Sequence, residues 1–290
     1  MKISIVTPSL NQGGFIEDTI RSVISQQGNF DLEYIIMDGG STDSTLSIIR
    51  RYGKLINSKK FNPKCNRLSF KWFSEKDRGQ SHAINKGFRM AKGDIINWLC
   101  SDDMLEKGAL QEVARFFESN DDAEVVYGNG LEIDEKGKIL KTYKGADFSR
   151  SDLIRVWSRA YSKFHIAQPS VFVKRGILRK HGFLNEKNHL CMDYEWYLKI
   201  NQGSKFHYID RMLSRNHFHG NCKSLLFRRE QSKATMDCSK RYWKENYLYY
   251  MLSYCTCIPA HLYEILLFLE SKSKTCSKLI GYIRKYKRKL

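Results

Sequence analysis

Residues Gln80 to Asp103, QSHAINKGFRMAKGDIINWLCSDD, carry the reading that decides the fold. The spacing predicts a helix over Gln80 to Ala91, followed by a strand over Asp94 to Leu99. A strand this apolar belongs in a parallel sheet covered by helices. It ends in Cys100-Ser101-Asp102-Asp103, where two carboxylates meet at the mouth of a buried strand. Neighbouring acids repel each other and invite a cation; oxygen ligands suit Mg²⁺ or Mn²⁺, which would in turn bind a diphosphate. On an extended chain only one of the two faces the ion directly, which leaves the other for a ribose. Acidic pairs also cap helices, and Asp103 is placed to cap the one that follows.

Outward from this segment, strand and helix signals alternate. Upstream, the pattern predicts strands at Lys2 to Thr7, Leu32 to Met37 and Ser69 to Phe73. Helices are expected at Phe15 to Gln27 and Ser44 to Tyr52, the second capped by Ser41 or Thr42 and Asp43. Downstream come a helix near Lys107 to Glu118 and a strand at Ala123 to Tyr127. Glu135-Lys136-Gly137 reads as a turn between Leu131 to Ile133 and Ile139 to Tyr143. Pro169 to Val173 is a further strand, and Asp193 to Ile200 a helix. Beyond Lys223 the chain turns helical, aromatic and basic. A boundary near Phe227 divides a domain over 1–227 from an extension over 228–290.

The 290 residues are 42% hydrophobic and 28% charged, a globular composition that excludes a disordered chain and a disulfide-stapled miniprotein. Lys and Arg number 49 against 31 acids, a formal charge of +18. From Gln231 onward there are 12 basic residues and 4 acids. Such an excess points to a polyanionic partner: nucleic acid, an anionic membrane face or a phosphorylated substrate. The 8 cysteines include no CxxC pair and no histidine at zinc-finger spacing, which fits free thiols in a reducing compartment, with no zinc or disulfide role. The N-terminus lacks a signal-peptide core, and the apolar stretch Tyr247 to Leu269 is broken by Pro259, His261 and Glu264. The expectation is a protein that is soluble or lies on a membrane surface.

In sheets of this kind ligands gather beyond the carboxyl ends of the strands. The first strand ends in Thr7-Pro8-Ser9-Leu10-Asn11-Gln12-Gly13-Gly14, whose hydroxyls, amides and glycines suit a base, ribose or phosphate and equally an ordinary capped loop. The second ends in Asp38-Gly39-Gly40-Ser41-Thr42-Asp43, where a carboxylate could accept an imide N–H or simply organise a turn.

Taken together, TPSLNQGGFIEDTIRSVISQ, EYIIMDGGSTDST, the segment from Glu75 to Asp103 and MDYEWYLK resemble the family 2 glycosyltransferases of the GT-A fold, an α/β fold with a Rossmann-like mixed sheet flanked by helices. The resemblance runs from Lys2 to about Ser224. It implies that Thr7, Pro8, Ser9 and Asn11 form the nucleotide-binding turn and that Asp38 recognises the base. Asp77, Arg78 and Gln80 would border the nucleotide and donor sugar. Asp102 would lie near the ribose and Asp103 on the metal. Asp193 matches the general base, with Met192 where many relatives carry Glu and with Glu195 as the competing acid. His219 resembles the family's histidine before a Ser-Lys-Ser segment whose first serine is Cys222 here; it would complete the metal site, touch the diphosphate, or lie on the surface beside His217.

The implied activity is inverting, metal-dependent transfer of a sugar, with Mn²⁺ or Mg²⁺, from a UDP-linked donor to a polyprenyl-diphosphate-linked saccharide in surface polysaccharide synthesis. The last 20 residues hold 8 basic groups and no acid, interleaved upstream with aromatic rings. In-plane helices on the inner face of the cytoplasmic membrane are the expected setting, a solvated basic tail the alternative. A nucleic-acid-binding protein is the rival class, but it lacks an RNP, helix-turn-helix or zinc signature and leaves the strand-end acids unexplained, so no nucleic-acid partner is expected. A catalytically silent scaffold in an assembly complex is a third reading.

Overall fold

The apolar runs form β1 (Lys2–Ser9), β2 (Gly28–Asp38), β3 (Cys65–Ser74) and β4 (Ile95–Trp98), parallel strands in the order β3-β2-β1-β4. The structure is a computed structural model that describes residues 1–58, 61–154, 164–220 and 222–242. Crossovers are made by α1 (Ile16–Ile24), α2 (Thr45–Ile56) and α3 (Gln80–Met90). Because β1 lies between β2 and β4, the strand order reverses there and opens a crevice beyond the carboxyl ends. Ser9 pairs with Asp38 and Asp38 with Ser74, so three strands end level with one another.

The second half mixes directions. After β5 (Asp103–Leu105) and α4 (Ala109–Ser119) come β6 (Val125–Ile133) and β7 (Ile139–Tyr143), the expected hairpin. Then follow α5 (Arg150–Ile154), a 3-10 turn at Gln168–Ser170, β8 (Val171–Lys174), α6 (Gly176–His181), α7 (Met192–Ile200), β9 (Phe206–His217), α8 (Lys223–Leu226) and α9 (Arg228–Tyr242). Among the described residues these strands complete one mixed sheet: β8 is antiparallel to β4 and to β6, β6 parallel to β9, and β9 antiparallel to β5.

Three expectations shift. Ala123 to Tyr127 and Leu131 to Ile133 belong to one strand, β6, which runs on through Gly128; a Cβ there would lie 2.6 Å from the Arg211 carbonyl of β9. Asp103 does not cap α4, whose N-cap is Gly108; it opens β5 instead. The segment at 206–217, read as no element, is the long strand β9. Residues 243–290, where most of the helical basic extension is expected, lie outside the described residues.

The chain forms two compact units, Met1–Phe148 with Lys163–Thr235, and Ser149–Ser162 with Met236–Leu290. In the second, Ser239 Oγ donates to the Ile154 carbonyl at 2.6 Å. The first holds the main core. On one face of its sheet Ile3, Ile5, Leu32, Tyr34 and Ile36 pack against Ile16, Ile20 and Val23 of α1 and Leu110, Val113 and Phe117 of α4. On the other, Trp98 meets Trp196 of α7 edge-to-face at 5.5 Å, with Phe88 of α3 5.9 Å from Trp98.

Helix α3 can approach β1 because residue 87 is glycine. A Cβ there would overlap Val6 Cγ1 and lie 3.3 Å from Met37 Cγ, both in buried side chains. Helix propensity favours alanine over glycine by about 1 kcal/mol, whereas overpacking costs about 1–3 kcal/mol, so the clash wins. Gly87→Ala should therefore lower the thermal midpoint; an unchanged or raised midpoint in a denaturation scan would show that the helix has room to lift.

Candidate active site

The loops after β1 and β2 are joined by side chains that satisfy backbone amides. Ser41 Oγ accepts from Asn11 N at 2.8 Å, Thr45 Oγ1 from Gln12 N at 2.8 Å, and Asp43 Oδ2 from Gly13 N at 2.9 Å. Asn11, at φ 52°, returns a bond through Oδ1 to Thr42 N at 2.9 Å. Asparagine tolerates this left-handed geometry better than most residues. Asp38 is buried and organises its own loop: Ser41 Oγ donates to Oδ1, while Gly40 N (3.0 Å), Ser41 N (2.9 Å) and Ser74 Oγ (2.7 Å) donate to Oδ2. The β3 loop passes close to Gly39, where a Cβ would lie 2.6 Å from Asp77 Oδ2. Asp77 Oδ1 in turn accepts Gly79 N at 2.7 Å and shapes the entry to α3.

Not every expected donor-site group points outward. Thr7 is fully buried, its hydroxyl 3.1 Å from that of Tyr34, whose phenol burial pushes upward. Pro8 is buried within β1. Ser9 is buried too, and its hydroxyl has no hydrogen-bond partner in the described structure, an orphan at the rim of the crevice. Arg78 is exposed and paired with Glu186 at 2.6 Å. Gln80 reaches the acid pair's surroundings: its Nε2 donates to Cys100 Sγ at 3.2 Å, and its Oε1 accepts Lys223 Nζ at 2.8 Å. Lys223 thus presents an ammonium at the site, a role that sequence reading had not given it.

At the end of β4 the structure sets Asp102 beside Asp103 on one side and His219 on the other. Thr19 of α1 donates through Oγ1 to the carbonyls of Ser101 (2.9 Å) and Asp103 (2.8 Å), and His217 Nδ1 lies 2.7 Å from the Asp102 carbonyl. His219 Nε2 is 3.2 Å from Asp102 Oδ2, and its ring stacks on Phe15 at 4.3 Å. Asp103 is buried; desolvation and then the charge of Asp102 push its carboxyl well up, against hydrogen bonds from Asn216 and His217. Two sets of atoms lie within 4.8 Å of one another: Cys100, Asp102 and Asp103, and Asp102, His219 and Cys222. Asp102 belongs to both. Carboxylate and imidazole donors around a repelling acid pair fit a divalent cation, and the buried Asp103 has the most to gain from one.

Asp193 occupies the first turn of α7, half-buried. Desolvation pushes its carboxyl up, opposed by backbone N–H bonds, and its charge is felt at Cys100 and at the buried Tyr197 hydroxyl, which has no partner in the described structure. Glu195 is occupied elsewhere, accepting from Asn185 Nδ2 at 3.1 Å and Asn188 Nδ2 at 2.7 Å. Met192 Sδ receives the Ser81 hydroxyl at 2.8 Å. Of the two acids, Asp193 is the one beside the strand-end cluster. Asp193 also accepts first-turn backbone N–H bonds, its own and that of Tyr194, and so serves the N-terminus of α7 as well.

Comparison with known proteins bears on the fold and the family. Chondroitin synthase of Escherichia coli is 28% identical over 224 residues, covering 77% of this chain and 30% of that protein. The chain thus spans under a third of that relative's length. Staphylococcus aureus TarS 1–349 in complex with UDP-GlcNAc superposes with a TM-score of 0.61 at 16% identity, covering 83% of this chain and 66% of that one. The mannosyltransferase PcManGT of Pyrobaculum calidifontis, in complex with GDP-Man and Mn²⁺, gives a TM-score of 0.53 at 15% identity over 98% and 84% of the two chains. These likenesses show a shared fold. The model for glycosyl transferase family 2 matches residues 4–182, more than half of the sequence, and the chain belongs to that family of nucleotide-sugar-dependent glycosyltransferases.

Proposed function

We propose that this enzyme transfers one sugar, with inversion, from a UDP-linked donor to a hydroxyl of a lipid-linked saccharide during assembly of a surface polysaccharide. The observation that carries the reading is the strand-end pair Asp102 and Asp103, with His219 on Asp102, beside a further, desolvated carboxylate, Asp193. The UDP-GlcNAc held by TarS and the polysaccharide named for the E. coli relative support the donor and product classes.

In this mechanism the joined loops at 9–13 and 38–45 take the nucleoside, with the unpartnered Ser9 hydroxyl as one contact. A divalent cation held by Asp102, with Asp103 on one side of it or His219 on the other, would supply electrostatic stabilisation to the departing diphosphate. Lys223, steadied by Gln80, adds a further positive charge. Asp193 takes the proton from the acceptor hydroxyl as its oxygen bonds to the anomeric carbon and the bond to the diphosphate breaks. Desolvation suits Asp193 to this task, because a base whose pKa is raised toward the working pH removes a proton more effectively.

The sign of the pH dependence follows. Asp193 works ionised and its carboxyl is raised above the ordinary value of 3.8, so kcat/KM should fall on acidification through a pH above that value. Asp193→Asn should keep donor binding while transfer drops by about 100-fold or more. Radiolabelled transfer and nucleotide titration check both; an acid limb at the ordinary position, or near-normal turnover of the variant, would move the base elsewhere.

A membrane-bound acceptor requires the enzyme to work at a lipid surface, on the inner face of the cytoplasmic membrane in this reading. Among the described residues no helix is long and apolar enough to cross a membrane. Leu225, Leu226 and Phe227, however, are 44%, 58% and 45% exposed and are followed by the exposed Arg228 and Arg229. Apolar side chains beside cations suit the interface of an anionic bilayer. Arg228→Glu with Arg229→Glu should weaken sedimentation with anionic vesicles by at least about 2 kcal/mol, roughly thirtyfold. Equal sedimentation would leave this surface without a lipid role.

A further inference from the structure

We propose that Cys222 is a protein ligand of the cation site, so that with Asp102 and His219 it binds thiophilic divalent ions such as Zn²⁺, Co²⁺ and Cd²⁺ through sulfur, nitrogen and oxygen. This inference rests on the cation reading of Asp102 and His219 above and adds a second ligand set that shares them.

The geometry carries it. Cys222 Sγ, an imidazole nitrogen of His219 and a carboxylate oxygen of Asp102 all lie within 4.8 Å of one another. Two ligands at zinc distances on tetrahedral positions are about 3.4 Å apart for nitrogen with oxygen and about 3.6 Å for nitrogen with sulfur. His219 Nε2 to Asp102 Oδ2 is already 3.2 Å. His219 and Cys222 occupy one tight turn, with Cys222 N donating to the His219 carbonyl at 3.1 Å and His219 N to Cys222 Sγ at 3.3 Å. Two ligands from one turn chelate with little loss of chain freedom. Both partners are already steadied, His219 by the stacked Phe15 ring and Asp102 by His217 at its carbonyl.

The chemistry separates two classes of ion. A hard ion is served by the carboxylates of Asp102 and Asp103, and Cys222 then keeps its proton and its 3.3 Å hydrogen bond to the His217 carbonyl. A thiophilic ion draws the sulfur: the S–H bond breaks, its proton passes to water, and the sulfur electron pair forms the bond to the ion. Asp102 belongs to both sets, so binding of one ion alters the site for the other. Cys100, in the other set, has carboxylates beside it and no imidazole, which makes it the natural control.

The test uses the full chain with Cys255, Cys257 and Cys276 replaced by serine, titrated with Co²⁺ and followed by absorbance. The expected result is a near-ultraviolet thiolate-to-cobalt charge-transfer band with the intense visible bands of four-coordinate cobalt. It should be lost in Cys222→Ser and retained in Cys100→Ser, each variant keeping the parent's circular dichroism and thermal midpoint. Stabilisation by Mn²⁺ should survive in Cys222→Ser, since the carboxylates remain. A cobalt spectrum with no thiolate band, a band that persists in Cys222→Ser, or one lost in Cys100→Ser overturns the proposal. If Mn²⁺ stabilises the parent while no thiolate band forms, the proposal alone fails. If neither ion binds, the cation reading fails with it.

Discussion

Two carboxylates on adjacent residues, one of them buried, are the constraint around which the active-site half of the sheet is arranged. Left alone, such a pair would separate or take up a proton, since desolvation and like charge both oppose ionisation of Asp103. The backbone prevents separation. Thr19 holds the carbonyls of Ser101 and Asp103, His217 holds that of Asp102, and the pairing of Asp103 with Asn216 fixes the outgoing strand. With the turn's carbonyls satisfied, little local motion can relieve the repulsion, and a positive partner must come from outside. Lys223 is one such partner, and a bound cation would be another.

The wall opposite is built on a different economy, in which side chains complete the hydrogen bonding of loops that would otherwise expose bare amides. Ser41, Asp43 and Thr45 serve the amides of residues 11–13, and Asp38 serves Gly40, Ser41 and Ser74. A loop whose amides are satisfied in advance has less freedom to lose when a ligand arrives. This also gives the acid of the Asp-Gly-Gly motif a structural task whatever base it meets, because its four bonds all come from the chain itself.

How much of this the sequence disclosed depends on whether the signal was local. The strands β1, β2 and β4 are continuous apolar runs, and the turn residues after them are spelled out, so the crevice and its acids could be located. β9 could not. Its charged residues Asp210, Arg211 and Arg215 break the alternation, and Arg211 and Arg215 are accounted for by Glu112 and Glu106 of distant segments. Lys223 was visible as a residue but not its use, because it meets Gln80 across 143 positions of sequence; His219 was expected at the cation site and meets Asp102 across 117. Thr7 illustrates the converse, a motif residue whose hydroxyl faces Tyr34 inside the sheet.

The charge balance is best understood from the site outward. A chain at +18 attracts nucleoside diphosphates from a distance, yet in the proposed mechanism the groups nearest the diphosphate are acids, which would repel it at contact. The two effects act on different length scales: salt screens the global field beyond about 8–10 Å, while a half-buried carboxylate acts unscreened on a phosphate beside it. Net basicity therefore governs encounter, and local neutralisation of Asp102 and Asp103 governs whether the encounter becomes binding. Arg78, tied to Glu186, contributes to the first more than to the second; Lys223, anchored through Gln80 next to Cys100, contributes to the second. In the proposed mechanism, basic charge on the outside and an acid pair neutralised by a cation are thus complementary parts of one selection, in which a polyanion without a matching sugar and cation would be drawn near but not held.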